Sequence, residues 1–473
     1  MAIFYLERND NTPLNPMRSN RLFGYLLWIL LLLPAIAPAQ TVETHYLSDE
    51  DPIYKELEHL QDTAKNNFFD RTPGAQVFDH SAIKQYLTHL AGLPIRTGVG
   101  RDTSTIILTA NSIDSIYSLY FTGTLTTRYQ EPITYFQMAR MIQLMRPIVQ
   151  SLYPENTYAP KFGTLFTSEL MTERRAVKDD YLLLQHFPFL RFCQETAKYA
   201  LFPILNMGYP RPMGDGIFYY VDPRALEQNI SRDTLLWKDF FRFMILMQAK
   251  KPMVNKRVAP NPESLVYFQM LTTAMEWFAT AHEYGHAIKK HDMSYGPDTL
   301  SDEWMIHSWE NEIESDHIGL QILLQWLATD TEVRWRGSGT FMEWGAVFFL
   351  DCLFFYEDVP RLIKEHRDIP ALTDREINTL LKIVDKKRPM PQRIALLRQV
   401  NKEFLQLDHP PTEFRMYLLE KELDDHQTRK LRSIADPNWQ SQEIAMYRFG
   451  QDILHSLDTL FSVDRHLFIL TPK

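Results

Sequence analysis

The chain has little cysteine, no basic surplus and no second long hydrophobic run, and each absence narrows what it can be. Its 473 residues include only Cys193 and Cys352 and no C-x-x-C pair, which excludes a zinc module built on thiolates. Their spacing leaves open whether the two form a disulfide. The net charge is −9 and the sequence has no basic stripe, so we expect no nucleic-acid partner. The 45% apolar content predicts a folded globular protein with a substantial core.

The N-terminal segment has the pattern of a secretory signal. Two arginines precede the apolar run 22–33, and an Ala-x-Ala exit ends at Ala39. This order of charge, apolar stretch and small residues predicts a signal peptide over residues 1–39, with Met17 as an alternative start. Residues 22–39 are alternatively an uncleaved anchor, near the lower length limit for a membrane span. We therefore expect an exported protein, periplasmic or secreted, with the anchored form as the alternative.

No other segment has the pattern of a membrane span. The nearest is Phe341–Tyr356, which Glu343 and Asp351 interrupt. An acidic side chain at the centre of a bilayer costs about 2.5–3.5 kcal/mol on insertion scales. The segment is therefore predicted to be a buried helix, and no span is expected once the signal is cleaved.

The most informative feature is the H-E-x-x-H arrangement of His282, Glu283 and His286. The flanking residues predict a helix over 262–290, on which positions four apart lie on one face, so both imidazoles can reach one metal ion. Glu283 can then act as the base that a zinc peptidase needs. Gly285 allows a neighbouring helix to approach closely. The competing interpretation is two surface histidines on an amphipathic helix.

The third metal ligand is predicted to be Glu312. Metzincin and thermolysin spacings fail, because unsuitable residues stand where those families have their third ligand. His291 lies about 180° round the helix from His282, so we expect it to cap the helix end. Glu312, Asp316 and Gly319 share a helical face, and Asp316 is placed to orient a ligating imidazole. The alternative is that these acids form a solvated face.

These motifs resemble the gluzincin family of the CAAX prenyl proteases, the heat-shock protease HtpX and their soluble bacterial relatives. That family has H-E-x-G-H, then E-x-E-A-D, then His-Pro-Pro-x-x-x-Arg, and Ser315 here replaces the usual Ala. The resemblance implies that His409 stabilises the transition state and that Arg415 pairs with Asp316 or a nearby carboxylate. It covers roughly residues 260–420. A weaker resemblance, on the H-E-x-x-H helix alone, is to the Lit-type phage-exclusion peptidases.

The expected fold class is mainly α with a small β-sheet (α+β), with a gluzincin-type catalytic domain and a helical N-terminal region. We expect this N-terminal region at 40–260, a zinc metallopeptidase domain at 261–425 and closing helices at 426–473. Within the first region, the predicted helices are 51–69, 81–91, 131–152, 179–200 and 233–250. A loop is predicted at the proline-rich stretch 203–213. Strands are predicted at Thr103–Thr109 and Ile217–Val221, and the second is our candidate for binding substrate along an edge strand, as gluzincins do.

The predicted function is that of a zinc-dependent endopeptidase acting on a polypeptide. His282, His286 and Glu312 would bind Zn²⁺, and Glu283 would activate a water at the metal for attack on a peptide bond. Envelope protein quality control is one role that the resemblance implies. The alternatives are a Lit-like intracellular protease in phage or stress defence and a non-catalytic zinc-binding or chaperone-like protein.

Overall fold

The computed structural model is mostly helical with small β-sheets, which confirms the predicted α+β class. The signal-like residues 1–39 and the predicted helix 81–91 lie outside the described residues. The described residues are the isolated segments 45–46, 94–97, 104–107 and 124–125 and residue 127, together with 49–71, 132–156, most of 160–249, 264–291, 301–329, 339–365, 371–401 and 409–470.

The helices account for most of the described chain. In order they are α1 Pro52–Arg71, α2 Pro132–Leu152, α3 Phe187–Met207, α4 Pro223–Arg232, α5 Thr234–Gln248, α6 Ser264–Lys289, α7 Asp302–Thr329, α8 Gly339–Met342, α9 Gly345–Glu365, α10 Asp374–Val384, α11 Met390–Leu397, α12 Thr412–Ser433 and α13 Pro437–Leu470. Among these described helices, none has the length and apolarity that crossing a bilayer requires. The predicted buried helix at Phe341–Tyr356 is confirmed by α8 and α9, whose apolar side chains join the main core.

The strands form one three-stranded sheet and several two-stranded pairs. They are β1 His45–Tyr46, β2 Pro94–Thr97, β3 Ser104–Ile107, β4 Thr124–Leu125, β5 Lys161–Leu165, β6 Thr172–Val177, β7 Asp180–His186, β8 Tyr209–Met213 and β9 Gly216–Tyr220. In the three-stranded sheet β7 is central, parallel to β5 and antiparallel to β6. The pair β1–β4 is parallel, whereas β2–β3 and β8–β9 are antiparallel.

Helix α6 runs through the main core. Helices α3, α7 and α9 and strands β6 and β7 pack against it. Its apolar side chains are buried on several sides, and Trp277 stacks on Trp326 of α7 with ring centroids 4.0 Å apart. Full burial of a large apolar side chain contributes about 1.5–3 kcal/mol. Because α6 is enclosed in this way, most of the polar side chains that it carries, including His282 and His286, also lie inside the protein.

A second, smaller core fixes the region around the start of α12. Buried apolar side chains of α7, α10, α11 and α12 meet there, and Trp309 and Phe414 are fully buried. Helix α10 begins with a capping box between Thr373 and Glu376. A buried ion pair joins Arg393 of α11 to Glu310 of α7. This second core therefore holds the first turn of α12 beside the N-terminal half of α7.

The structure corrects two local predictions. The predicted helix 179–200 is a strand followed by a helix, because β7 occupies Asp180–His186 and α3 begins at Phe187. The run Leu182–Leu184 is buried in the centre of the sheet, and a short apolar run does not separate a buried strand from a helix. The proline-rich stretch 203–213 was expected to be a loop, but it contains β8, which tolerates proline because it belongs to a two-stranded hairpin.

Other local predictions are confirmed. Helices near the expected 51–69, 131–152 and 233–250 are present as α1, α2 and α5. Strand β3 lies within Thr103–Thr109, and β9 covers most of Ile217–Val221. Cys193 of α3 and Cys352 of α9 are buried free thiols, so they do not form a disulfide, and burial raises the pKa of each.

Candidate metal centre

The site is built on two helices that pack unusually closely. An added Cβ on Gly285 of α6 would lie 3.2 Å from the Cα of Ser315 in α7. One on Gly319 of α7 would lie 3.1 Å from the backbone nitrogen of His282. Both glycines therefore remove side chains from the contact between α6 and α7, as expected for Gly285. The close contact brings the side chains of the two helices within reach of a common point.

His282, His286 and Glu312 converge at this contact. The Nε2 atoms of the two histidines are 3.1 Å apart. Glu312 Oε1 lies 3.2 Å from His286 Nε2, and its Oε2 lies 3.4 Å from His282 Nε2. All three residues are buried, and one ligand atom from each lies within 4.8 Å of the others. This group could hold a metal ion.

The donor set and its unsatisfied atom both fit a zinc ion. Glu312 Oε2 is buried and has no hydrogen-bond partner among the described residues. His282 Nε2, His409 Nε2 and Arg415 Nη1 lie 3.4–3.6 Å from it. A buried carboxylate oxygen normally has a partner, since leaving it without one costs free energy. Two imidazole nitrogens and one carboxylate with an open position form a ligand set of catalytic zinc sites.

Asp316 and Arg415 lie behind the first histidine. Asp316 Oδ1 is 2.9 Å from His282 Nδ1, the ring nitrogen that faces away from Glu312. Arg415 donates two hydrogen bonds of 2.7 Å to the carboxylate of Asp316. Burial opposes protonation of His282, but the carboxylates of Asp316 and Glu312 outweigh it and raise the pKa of this histidine to about 10. The site thus favours a positive charge, which a metal ion can supply in place of the proton.

His291 occupies the corresponding place behind the second histidine. Its Nδ1 lies 3.0 Å from Nδ1 of His286, so its side chain does not cap helix carbonyls as the sequence led us to expect. Helix periodicity puts it on the far side of α6, but the helix has ended before it. Lys290 has a φ of +52°, and this left-handed residue turns the chain back towards His286. No glycine marks the turn, so the sequence contained no clear signal for it.

Glu283 lies beside the two histidines on α6 and is partly exposed. Removal from solvent raises the pKa of its carboxyl, while the neighbouring His282 and His286 oppose the rise. A raised pKa brings the carboxyl closer to neutral pH, where a general base works best. Glu283 therefore lies on the same helix as the two histidines, and its pKa is shifted in the direction that suits a proton acceptor.

His409 is the one predicted site residue with substantial solvent exposure, 40% of its side chain, and its Nε2 lies 3.6 Å from Glu312 Oε2. Pro410 and Pro411 separate it from α12. The first turn of that helix is held by two contacts, from Thr412 Oγ1 to Glu357 of α9 and from the backbone nitrogen of Leu372 to Glu413. The imidazole of His409 therefore stands at the solvent side of the metal centre.

The three-stranded sheet also contributes to the site, and the sequence pattern did not predict this. Arg174 of β6 donates hydrogen bonds to the carbonyl oxygens of His286 and His291, the first at 3.0 Å. Its guanidinium also stacks over the ring of Tyr181, 4.6 Å from the centroid. The strand suggested for substrate, Ile217–Val221, forms β9, which packs on α3 and α13, whereas β6 and β7 pack on α6. Because the segment 179–200 was predicted to be a single helix, the sheet that contains β6 and β7 was not expected.

Comparison with known proteins adds no relative. No protein-family model, no curated protein and no solved structure matches the chain.

Proposed function

We propose that this chain is a zinc-dependent endopeptidase of the gluzincin type. The observation that carries the proposal is the buried group of His282, His286 and Glu312, with Glu283 on the same helix as the two histidines. Further support comes from the meeting of three separate segments of the chain. The H-E-x-x-H helix, the Glu312 helix and the His409–Arg415 segment are distant in sequence, yet their polar side chains lie within a few ångströms of Glu312.

Each residue has a role that follows from its surroundings. His282, His286 and Glu312 would hold the zinc ion, which when bound polarises a peptide carbonyl and makes a neighbouring water more acidic. Glu283 accepts a proton from that water and later delivers it to the leaving amine. His409 donates a hydrogen bond to the oxygen on which negative charge develops. Asp316, held by Arg415, fixes the ring of His282.

The substrate would be a polypeptide in an extended conformation. Strand β6 pairs only with β7 among the described residues, so its other edge has no partner in the described sheet. An extended peptide can add to such an edge through main-chain hydrogen bonds. Since β6 packs on α6, whereas β9 packs on α3 and α13, we propose β6 in place of Ile217–Val221 as the strand that binds substrate.

The proposed enzyme acts outside the cytoplasm, and this part rests on the signal-like pattern of residues 1–39. Envelope protein quality control is the role that the family resemblance favours.

The test replaces Glu283 by Gln. We expect Glu283→Gln to keep one zinc ion per chain, because Glu283 is not a ligand, and to lose about 100- to 10,000-fold in cleavage of casein or a peptide library. The matched control is Glu303→Gln, since Glu303 is an exposed carboxylate of α7, with 60% of its side chain exposed. This control should cleave like the unmodified protein, and a chelator should abolish that cleavage.

Full activity of Glu283→Gln would remove Glu283 as the base. A wild-type protein that binds zinc but cleaves no peptide in the library would instead favour the non-catalytic alternative.

A further inference from the structure

The second ligating histidine has an unusual neighbour. Ring nitrogens of metal-binding histidines normally donate to a carboxylate, a carbonyl or water, as His282 faces Asp316. His286 Nδ1 instead meets Nδ1 of His291 at 3.0 Å, with the two rings nearly perpendicular at 77°. Both side chains are buried. A second imidazole therefore takes the place that a carboxylate occupies on the other side of the site.

The hydrogen positions in this pair follow from metal binding. If His286 binds the metal through Nε2, its proton is on Nδ1, and it must donate to His291 Nδ1. His291 then carries its own proton on Nε2, which faces Glu314 Oε2 at 3.5 Å. Ser315 Oγ, which replaces the alanine of the family pattern, lies 3.4 Å from His291 Nδ1. Donor and acceptor thus alternate from the metal centre to Glu314.

The end of α6 places His291 there. The backbone nitrogen of His291 donates to His286 O at 3.1 Å, and that of Lys290 donates to Ala287 O at 3.2 Å. With Lys290 in the left-handed conformation, these bonds form a Schellman motif, in which the residue after the left-handed position packs against the third residue from the helix end. That contact is often apolar. Here it joins His291 to His286.

Strand β6 holds the same turn from outside. The guanidinium of Arg174 bridges the carbonyl oxygens of His286 and His291, so one side chain fixes the backbone of both residues. Arg174 is in turn stacked on Tyr181 of β7. The separation of the two imidazoles is therefore set by the turn and by the sheet, and not by the imidazole contact alone.

We infer that His291 is a positioning residue of the metal centre, which fixes the ring orientation of His286 by accepting a hydrogen bond from its Nδ1. The inference rests on metal binding by His286, one part of the proposed function, and not on peptide hydrolysis.

The experiment compares two substitutions by zinc affinity, measured in competition with a chromogenic chelator. His291→Leu removes the acceptor, and we expect roughly 10- to 100-fold weaker zinc binding. His291→Asn keeps an acceptor at the position of Nδ1 and should bind within a few-fold of the unmodified protein. The control is His59→Leu, an exposed histidine of α1, which should leave the affinity unchanged. The visible spectrum of the Co²⁺-loaded protein should change in His291→Leu and be restored in His291→Asn.

Each outcome decides the inference. Unchanged affinity and an unchanged cobalt spectrum in His291→Leu would overturn it, and so would equal losses in the Leu and Asn variants, which indicate a packing role. If His291→Leu does not fold, His291→Asn is compared with His291→Ser, whose hydroxyl is too short to reach His286, and the same difference is expected. A wild-type protein that binds no zinc overturns both this inference and the proposed function. One that binds zinc without cleaving peptides leaves this inference standing.

Discussion

Two buried polar clusters in this protein differ in whether all of their carboxylate oxygens accept a hydrogen bond. The first, called the open cluster, consists of His282, His286 and Glu312. The second, called the closed cluster, consists of Glu343, between α8 and α9, Lys430 of α12 and Glu443 of α13. Both lie inside the helical part of the chain, and both bring carboxylates together with nitrogen groups.

In the closed cluster each carboxylate oxygen has a donor. Lys430 donates to Glu343 at 3.0 Å and lies 2.8 Å from Glu443. Gln427 donates to the other oxygen of Glu343 at 2.6 Å, and Trp439 donates to Glu443 at 3.1 Å. Burial raises the pKa of Glu343 to about 7 against the opposing effect of Lys430.

In the open cluster one carboxylate oxygen lacks a hydrogen bond from the described residues. Glu312 Oε2 is buried without a hydrogen bond among the described residues, and three nitrogens stand around it at 3.4–3.6 Å. Leaving a buried carboxylate oxygen without a hydrogen bond costs free energy, and a cation bound by the two imidazoles and Glu312 would remove that cost. The closed cluster therefore joins helices through its own contacts, whereas the open cluster could hold a metal ion.

The largest expected effect comes from removing the carboxylate of the open cluster. Glu312→Ala should weaken zinc binding on the order of a thousandfold, or by about 4 kcal/mol. This loss exceeds the roughly 100-fold loss that is typical when a residue hydrogen-bonded to a metal ligand is removed. Zinc should raise the melting temperature of the unmodified protein and not that of this variant. The exposed Glu303→Ala serves as control. If Glu312→Ala kept tightly bound zinc, Glu312 would be excluded as a ligand.

The next effect should fall on the closed cluster and spare the metal. Lys430→Met leaves Glu343 and Glu443 without their cation. We expect the free energy of unfolding to drop by about 2–3 kcal/mol, below the fully buried case because 29% of the Lys430 side chain is exposed. Zinc affinity should not change. Lys421→Met, an exposed lysine on the same helix, should alter neither quantity. Loss of zinc in Lys430→Met would mean that the two clusters are not independent.

The smallest effect concerns the turn that supports the open cluster. Lys290 has a positive φ, which costs a residue with a side chain about 1–2 kcal/mol and glycine almost nothing. Lys290→Gly should therefore raise the free energy of unfolding of the metal-free protein by about 1 kcal/mol. Part of this gain is lost because glycine also makes the unfolded chain more flexible. The opposite sign is expected for Lys421→Gly, within a regular helix, which should cost about 1 kcal/mol. Chemical denaturation measures both, and a destabilised Lys290→Gly would contradict the described turn.

The sequence predicted the centre of the site better than its surroundings. The residues His282, His286, Glu312 and Asp316 could be grouped because each pair lies on a regular helix, where spacing translates directly into direction. Gly285 could be interpreted for the same reason. The His409–Arg415 segment required the family resemblance, since nothing in its own pattern relates it to Asp316 of α7, which lies 99 residues before Arg415.

The contributions of His291 and Arg174 to the site could not be predicted from the sequence, for two physical reasons. His291 was assigned by helix periodicity, which no longer applies after the left-handed Lys290. Arg174 was overlooked because the adjoining apolar run Leu182–Leu184 suited either a helix or a buried strand. The first error lies where the backbone leaves a regular helix, and the second lies in an apolar run whose pattern suits two kinds of element.

The most direct test of the central claim is the metal content of the purified, dialysed protein, measured by elemental analysis. The arrangement of His282, His286 and Glu312 predicts one zinc ion per chain, removed by a chelator and recovered when zinc is returned. A protein that contains no zinc and takes up none at micromolar concentrations would contradict the account.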